Sequence, residues 1–239
     1  MIKLNRTPCP AYLSDDKVRQ LTEEFINTGN SVWNKDEIKG ALLKLSNYKC
    51  AYCEAKVQIE DSYMEVEHFH PKSRYKLEVV FWDNLLPSCK KCNGNKGNHD
   101  TGKEPIINPC KDDPKEHLCV EAARLYPKSN SDMGRLTIDV LNLNDKERLI
   151  DSRFDLCNTV KETLECLYHG AIDSKARNEI KGLLSACSAN TAFSAITSNA
   201  LHNDPYYSYI KQKFKDKNLW NEELEDLDIN TKKIALDSR

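Results

Sequence analysis

The sequence predicts an α+β chain, mostly α-helical, built around a small metal-stapled core. Two C-x2-C pairs, Cys50/Cys53 and Cys89/Cys92, stand 35 residues apart. Short apolar runs near residues 57–66 are bounded by turn residues, as in short strands. On either side of the core, apolar residues recur at three- and four-residue spacing, the helical period. The implied organisation is an N-terminal helical segment at 1–49, the core at 50–110 and a C-terminal helical region at 111–239.

Of 239 residues, 39% are hydrophobic and 30% charged, the balance of a soluble chain with a modest core. No apolar run reaches the roughly 18 residues that span a bilayer. The opening MIKLNRTPCPAYLSDD lacks the apolar stretch of a signal peptide, so a cytoplasmic location is expected. In a reducing compartment ten cysteines read as metal ligands or buried thiols, not as disulfides. Cys9, Cys110, Cys119, Cys157, Cys166 and Cys187 are scattered and read as core or partly exposed thiols. Net charge is −2, yet residues 69–103 carry seven Lys/Arg against three Asp/Glu. Any nucleic-acid affinity is therefore expected to be local, weak and salt-sensitive.

In chain order, Pro8 and Pro10 keep residues 1–13 irregular. A helix follows from Ser14 as cap, with Asp15 and Asp16 in its first turn and Val18, Leu21 and Phe25 on one face. Asn27 to Asn30 stops it. A second helix is expected from Asn34, capped with Glu37, with Ile38, Ala41, Leu42 and Leu45 as its stripe. Both read as packing elements. Short strands are expected at Val57–Ile59 and Tyr63–Val66, then a buried extended piece at Val79–Trp82. Ser88 is placed to cap a short helix carrying Cys89, Cys92, Asn93 and Lys96. Residues 98–114 are turn-rich. Helices are expected from Ile150 to Gly170 and near 173–187, 190–201 and 205–216. Five acids within Glu222–Asp228 read as a solvated face, with a basic partner surface as the sharper reading.

Two such knuckles complete a tetrahedral S4 zinc site. Closed by four sulfurs, that zinc is structural, contributing on the order of 10 kcal/mol of folding free energy. Four free thiols or an iron–sulfur cluster are the alternatives. Between the knuckles, Glu67 and His68 set a hard oxygen ligand beside a nitrogen base. Asn93, fixed by its neighbour Cys92, offers an amide oxygen to the same ion. Mg²⁺ takes one or two protein oxygens and keeps several waters. Such an ion polarises a phosphodiester while a neutral histidine deprotonates the attacking water.

The set CAYC, EHFHP, NLL and CKKCN-x-x-K resembles the HNH endonuclease signature in its zinc-containing, His-Asn-Asn form. The resemblance implies a ββα-metal unit that grips the nucleic-acid backbone. It implies His68 as general base, Glu67 and Asn93 on a catalytic Mg²⁺ or Mn²⁺, and Asn84 orienting His68 through the intervening loop. The acid is usually Asp; here it is Glu67. Lys72, Arg74, Lys90, Lys91 and Lys96 then read as backbone-phosphate contacts or solvated charges, with Lys96 best placed. His70 reads as a phosphate contact or a structural residue; His99 lies within sequence reach of the site. Trp82 reads as core, and His117, His169 and His202 as structural or exposed.

The wider spacing, from CAYCE through WDNLLPSC to INPC-x-DDP, is similar to PtuB-type nucleases of Septu anti-phage systems. That similarity implies DNA as the favoured substrate with RNA allowed, and a PtuA-like ABC/SMC-type ATPase partner docking on residues 111–239. Such pairs stand alone or accompany a retron reverse transcriptase with its RNA and DNA. The competing reading is a non-catalytic zinc-ribbon adaptor that binds nucleic acid or protein. An adaptor has no need of Glu67-His68 or Asn93 at these offsets.

Overall fold

The computed structural model describes residues 1–57 and 63–239. The elements begin with α1 (Asp15–Thr28), α2 (Asp36–Leu45), β1 (Met64–His68), β2 (Leu85–Cys89) and α3 (Lys90–Lys96). Then come α4 (Pro114–His117), β3 (Leu118–Glu121), β4 (Arg124–Pro127), α5 (Asp132–Leu141) and α6 (Asp151–His169). The chain ends with α7 (Ser174–Ala186), α8 (Ser194–His202), α9 (Pro205–Asp216), α10 (Glu222–Ile234) and β5 (Asp237–Ser238). This is the expected α+β class. The chain forms two compact units: Lys3–Asp113 with Asp132–Leu143, and Met1–Ile2 with Pro114–Ser131 and Asn144–Arg239. The N-terminal helices thus share a unit with the core at 50–110, and α5 joins them from beyond it.

In the first unit, Ser14 accepts from the Lys17 amide and α1 ends on Gly29, whose φ of 73° is the left-handed cap conformation. At α2 the expected Asn34 cap is not made; Lys35 bounds the helix without a side-chain bond. The first-turn acids Asp36 and Glu37 favour that end instead. Ile38 and Leu42 of α2 are fully buried, and the helix packs against β1 and β2. These strands pair antiparallel, Met64 opposite Cys89 and His68 opposite Leu85, and β2 runs straight into α3. Helix α5 packs on α3 and holds its neighbours by two bonds, Asn95 Nδ2 to Leu141 O (3.1 Å) and the Ile107 amide to Thr137 Oγ1 (2.8 Å).

Val79–Trp82 is not extended. The Phe81 amide bonds Glu78 O and the Asn84 amide bonds Phe81 O, so local turns satisfy this backbone around 3₁₀ helices at Lys76–Glu78 and Trp82–Asn84. The expected strand at Val57–Ile59 extends into residues outside those described.

The second unit packs α6–α10 around Val160, Leu164, Ile180, Leu184, Ile210, Phe214 and Leu224. A three-stranded sheet of order β4-β3-β5 accompanies them. A π-helical turn at Lys146–Ile150 leads into α6. Helix α8 starts at Ser194, later than its expected start near 190, because Phe193 sits at φ 54°. The acidic run forms the first half of α10, where Glu222, Glu223 and Glu225 oppose the helix dipole. It is not wholly a solvated face: Asp228 is buried and accepts from Tyr207 Oη and from Lys211 Nζ (2.6 Å).

Candidate active site

Cys89 caps α3 and Cys92 lies in its first turn, so the second knuckle is a by-product of the strand-to-helix junction. The first knuckle docks on β2 through the Ala51 amide and Pro87 O (2.8 Å). Left-handed backbone at Glu54 (φ 65°) closes that turn, and a buried ion pair, Lys49 Nζ to Glu54 Oε2 at 3.0 Å, braces it. All four cysteines are buried and their sulfurs lie within 4.8 Å of one another. A tetrahedral ion with Zn–S near 2.3 Å requires sulfurs about 3.8 Å apart. Cys53 Sγ and Cys89 Sγ are 3.8 Å apart. Hydrogen bonds from Cys50, Cys89 and Cys92 hold the Cys53 thiol well below its ordinary range, the tendency a thiolate ligand needs. The donor set and its spacing fit zinc.

Strand β1 has period two, so Glu65 and Glu67 project from the same face, and that face meets α3. Each acid takes one α3 residue, one helical turn apart. Asn93 Nδ2 donates to Glu65 Oε2 at 2.7 Å. Lys96 Nζ lies 2.6 Å from Glu67 Oε1 and donates to His68 O at 2.8 Å. Glu67 is 2% exposed, and burial pushes its carboxyl up to about 7 against the opposing charge of Lys96. One ammonium does not compensate this carboxylate. A further cation fits there, and the oxygen of Asn93 is the other hard donor that α3 brings to this face.

His68 lies at the end of β1 and is 4% exposed. Its Nε2 is 2.9 Å from Val79 O. A carbonyl only accepts, so Nε2 carries the proton and Nδ1 keeps the basic lone pair. Trp33 meets the imidazole edge-on at 4.7 Å between ring centroids. Burial and the charge of Lys72 lower His68 to about 4, so the ring is neutral at pH 7. Asn84 ties the loop around it. Its Oδ1 accepts from the His70 amide (2.7 Å), while Nδ2 donates to His70 O (3.1 Å) and Glu78 O (3.2 Å).

The other sequence-selected residues divide clearly. Lys90 and Lys91 are exposed on the first turn of α3, and Lys72 is half-buried with its ammonium 5.0 Å above the Trp33 ring. Lys96, favoured from sequence as a phosphate contact, is instead sealed at 3% exposure by its bonds to Glu67 and His68 O. His70 is anchored through Nδ1 to Thr101 Oγ1 at 2.9 Å. His99 turns to Glu104 O, 2.7 Å away. Two residues here escaped the sequence reading. Glu65 was detectable, since Glu-Val-Glu at period two places both acids on one face; Trp33, far upstream on the α1–α2 connection, carried no signal. Both line a cleft of about 260 Å³ that also reaches Lys72 and Asn93.

Residues 50–99 match the HNH endonuclease family. The chain is 39% identical to the Septu protein PtuB of Bacillus thuringiensis, across 99% of this chain and 95% of that protein. It is 31% identical to the Septu protein PtuB of Bacillus mycoides (strain KBAB4), across 63% of this chain and 65% of that one. Identity that runs almost end to end, and not just through the knuckles, carries the conclusion that this chain belongs to the Septu PtuB family and contains an HNH endonuclease domain.

Proposed function

We propose that the chain is the nuclease subunit of an anti-phage complex, hydrolysing phosphodiester bonds in nucleic acid with a divalent ion held by Glu67 and Asn93. The observation that carries this reading is the His68 tautomer: Nε2–H is committed to Val79 O, and Nδ1 is left as a neutral base beside a buried carboxylate. Mg²⁺ or Mn²⁺, when bound, supplies Lewis-acid stabilisation of the departing 3′ oxygen. His68 takes the proton of the attacking water. Adjacent strand residues face opposite ways, so His68 and Glu67 approach a phosphate from different sides, as in-line displacement requires. Asn84 and Trp33 hold the imidazole in place. Lys72, Lys90 and Lys91 meet backbone phosphates without reading sequence.

DNA is the favoured substrate by family resemblance, with RNA as the alternative for the assay. The partner is a PtuA-like ATPase of the ABC/SMC type, docking on the second unit, where Phe154 (51% exposed) and Tyr209 (48%) present aromatic surface. Residues 205–239 supply Phe214, Leu224 and β5 to that unit's core and sheet, so the docking test uses Phe154→Asp and Tyr209→Asp and not truncation.

Co-expression with the ATPase, followed by size exclusion and cleavage of plasmid and RNA with Mg²⁺ or Mn²⁺, tests the whole reading. His68→Ala is expected to keep fold, zinc and partner while losing cleavage. Equal cutting by that variant would refute the assignment of His68. Co-elution without cutting under either ion favours the adaptor reading.

A further inference from the structure

We propose that Glu65 is a positioning residue: it holds the Asn93 amide with nitrogen toward itself, and so turns the amide oxygen toward the ion. The inference rests on the reading of Asn93 as an ion ligand. An asparagine amide has one donating and one accepting end, and left alone it rotates between them. Only the oxygen binds a cation. A carboxylate accepts and does not donate, so the 2.7 Å contact between Glu65 Oε2 and Asn93 requires the amide nitrogen at that end. Flipping the amide would set two oxygens against each other and leave the carboxylate unbonded. Oδ1 is thereby directed away from Glu65.

The backbone makes this pairing rigid. Glu65 lies opposite Ser88 in the β1–β2 ladder, next to the Met64–Cys89 pair from which α3 departs. Asn93 follows the knuckle residue Cys92, so both partners are anchored to the same four-cysteine cluster. Glu65 is half-buried, and the cleft it lines with Asn93 and Lys72 gives an ion a route from solvent. Glu67 cannot replace Glu65 in this task, because its own carboxylate is engaged by Lys96. Partners of this kind typically change metal affinity 10–100-fold when removed.

The test is Mn²⁺ titration of the zinc-loaded full-length chain, followed by electron paramagnetic resonance, with zinc content and thermal melting as fold controls. Glu65→Gln can both donate and accept, so the amide is no longer held one way; Mn²⁺ affinity is expected to fall at least tenfold. Asn93→Asp presents an oxygen in either rotation. In that background Glu65→Gln is expected to change affinity less than twofold. Equal affinity of wild type and Glu65→Gln overturns the inference. So does an undiminished effect of Glu65→Gln beside Asn93→Asp, which would make Glu65 a ligand or a general stabiliser. If wild type itself shows no stoichiometric Mn²⁺ site, the ion-binding reading of Glu67 and Asn93 fails, and this inference with it. If Glu65→Gln does not fold, Asn93→Asp with and without Glu65→Asp makes the same comparison.

Discussion

Lys96 separates two pictures of the site, and Lys96→Met decides between them. As a surface phosphate contact, its loss would leave stability unchanged and lower the salt slope of nucleic-acid binding by about one. As the buried partner of Glu67, its loss strands a carboxylate that is 2% exposed. At 2.6 Å and an effective dielectric near 20 the gross attraction is about 6 kcal/mol. Desolvation of both ions offsets much of this, so the pair adds little net stability. Removing one member is different, because an unpaired buried charge costs about 3–5 kcal/mol. The lost bond to His68 O adds to that, so about 4 kcal/mol is the expected loss from the first unit. The measurement is urea unfolding of zinc-loaded protein without added divalent ions, in a Trp220→Phe background. Trp33 and Trp82 then report the first unit alone. Glu67→Gln with Lys96→Met should recover more than half of the loss, since no charge remains buried. A loss under about 1 kcal/mol, or a double variant no better than Lys96→Met, refutes the reasoning.

Three further outcomes are expected. Asn84→Ala removes three hydrogen bonds around His70 and Glu78 and should destabilise the first unit by about 2–4 kcal/mol while slowing cleavage, measured by the same unfolding assay and by initial rates. Cys92→Ala should abolish zinc by elemental analysis and unfold the β1–β2–α3 unit, since binding energy at such a site is folding energy. In the second unit, burial holds His202 below its ordinary range against the pull of Asp228. On acidification the unfolded chain therefore takes up that proton first. The stability concerned is present above about pH 6.5 and declines as pH falls below it. His202→Gln should flatten that decline, as followed by Trp220 fluorescence between pH 7.5 and 5.5.

The elements legible in the sequence were those with a local cause. Ser14, the helical stripe of α2 and the run from Ile150 to Gly170 each declare themselves within one or two turns. The knuckles were legible because thiolate spacing is set by a metal and not by distant packing. The rest depended on partners far along the chain. Strand β5 exists only because β3, more than a hundred residues earlier, offers it an edge. Helix α5 reads as part of a C-terminal region, yet it packs on α3 and belongs with the nuclease unit. Lys96 shows the limit most sharply. A lysine one turn beyond Asn93 in a basic stretch suggests phosphate, and nothing local contradicts it. The contradiction comes from β1: an acid two residues before another acid meets a helix face whose residues repeat every three to four, so one acid finds Asn93 and the other finds Lys96. The same geometry that buries the lysine turns the asparagine. A single packing contact between one strand and one short helix therefore sets both the charge state of Glu67 and the orientation of Asn93, and a substitution in either acid should be felt at the residue its neighbour holds.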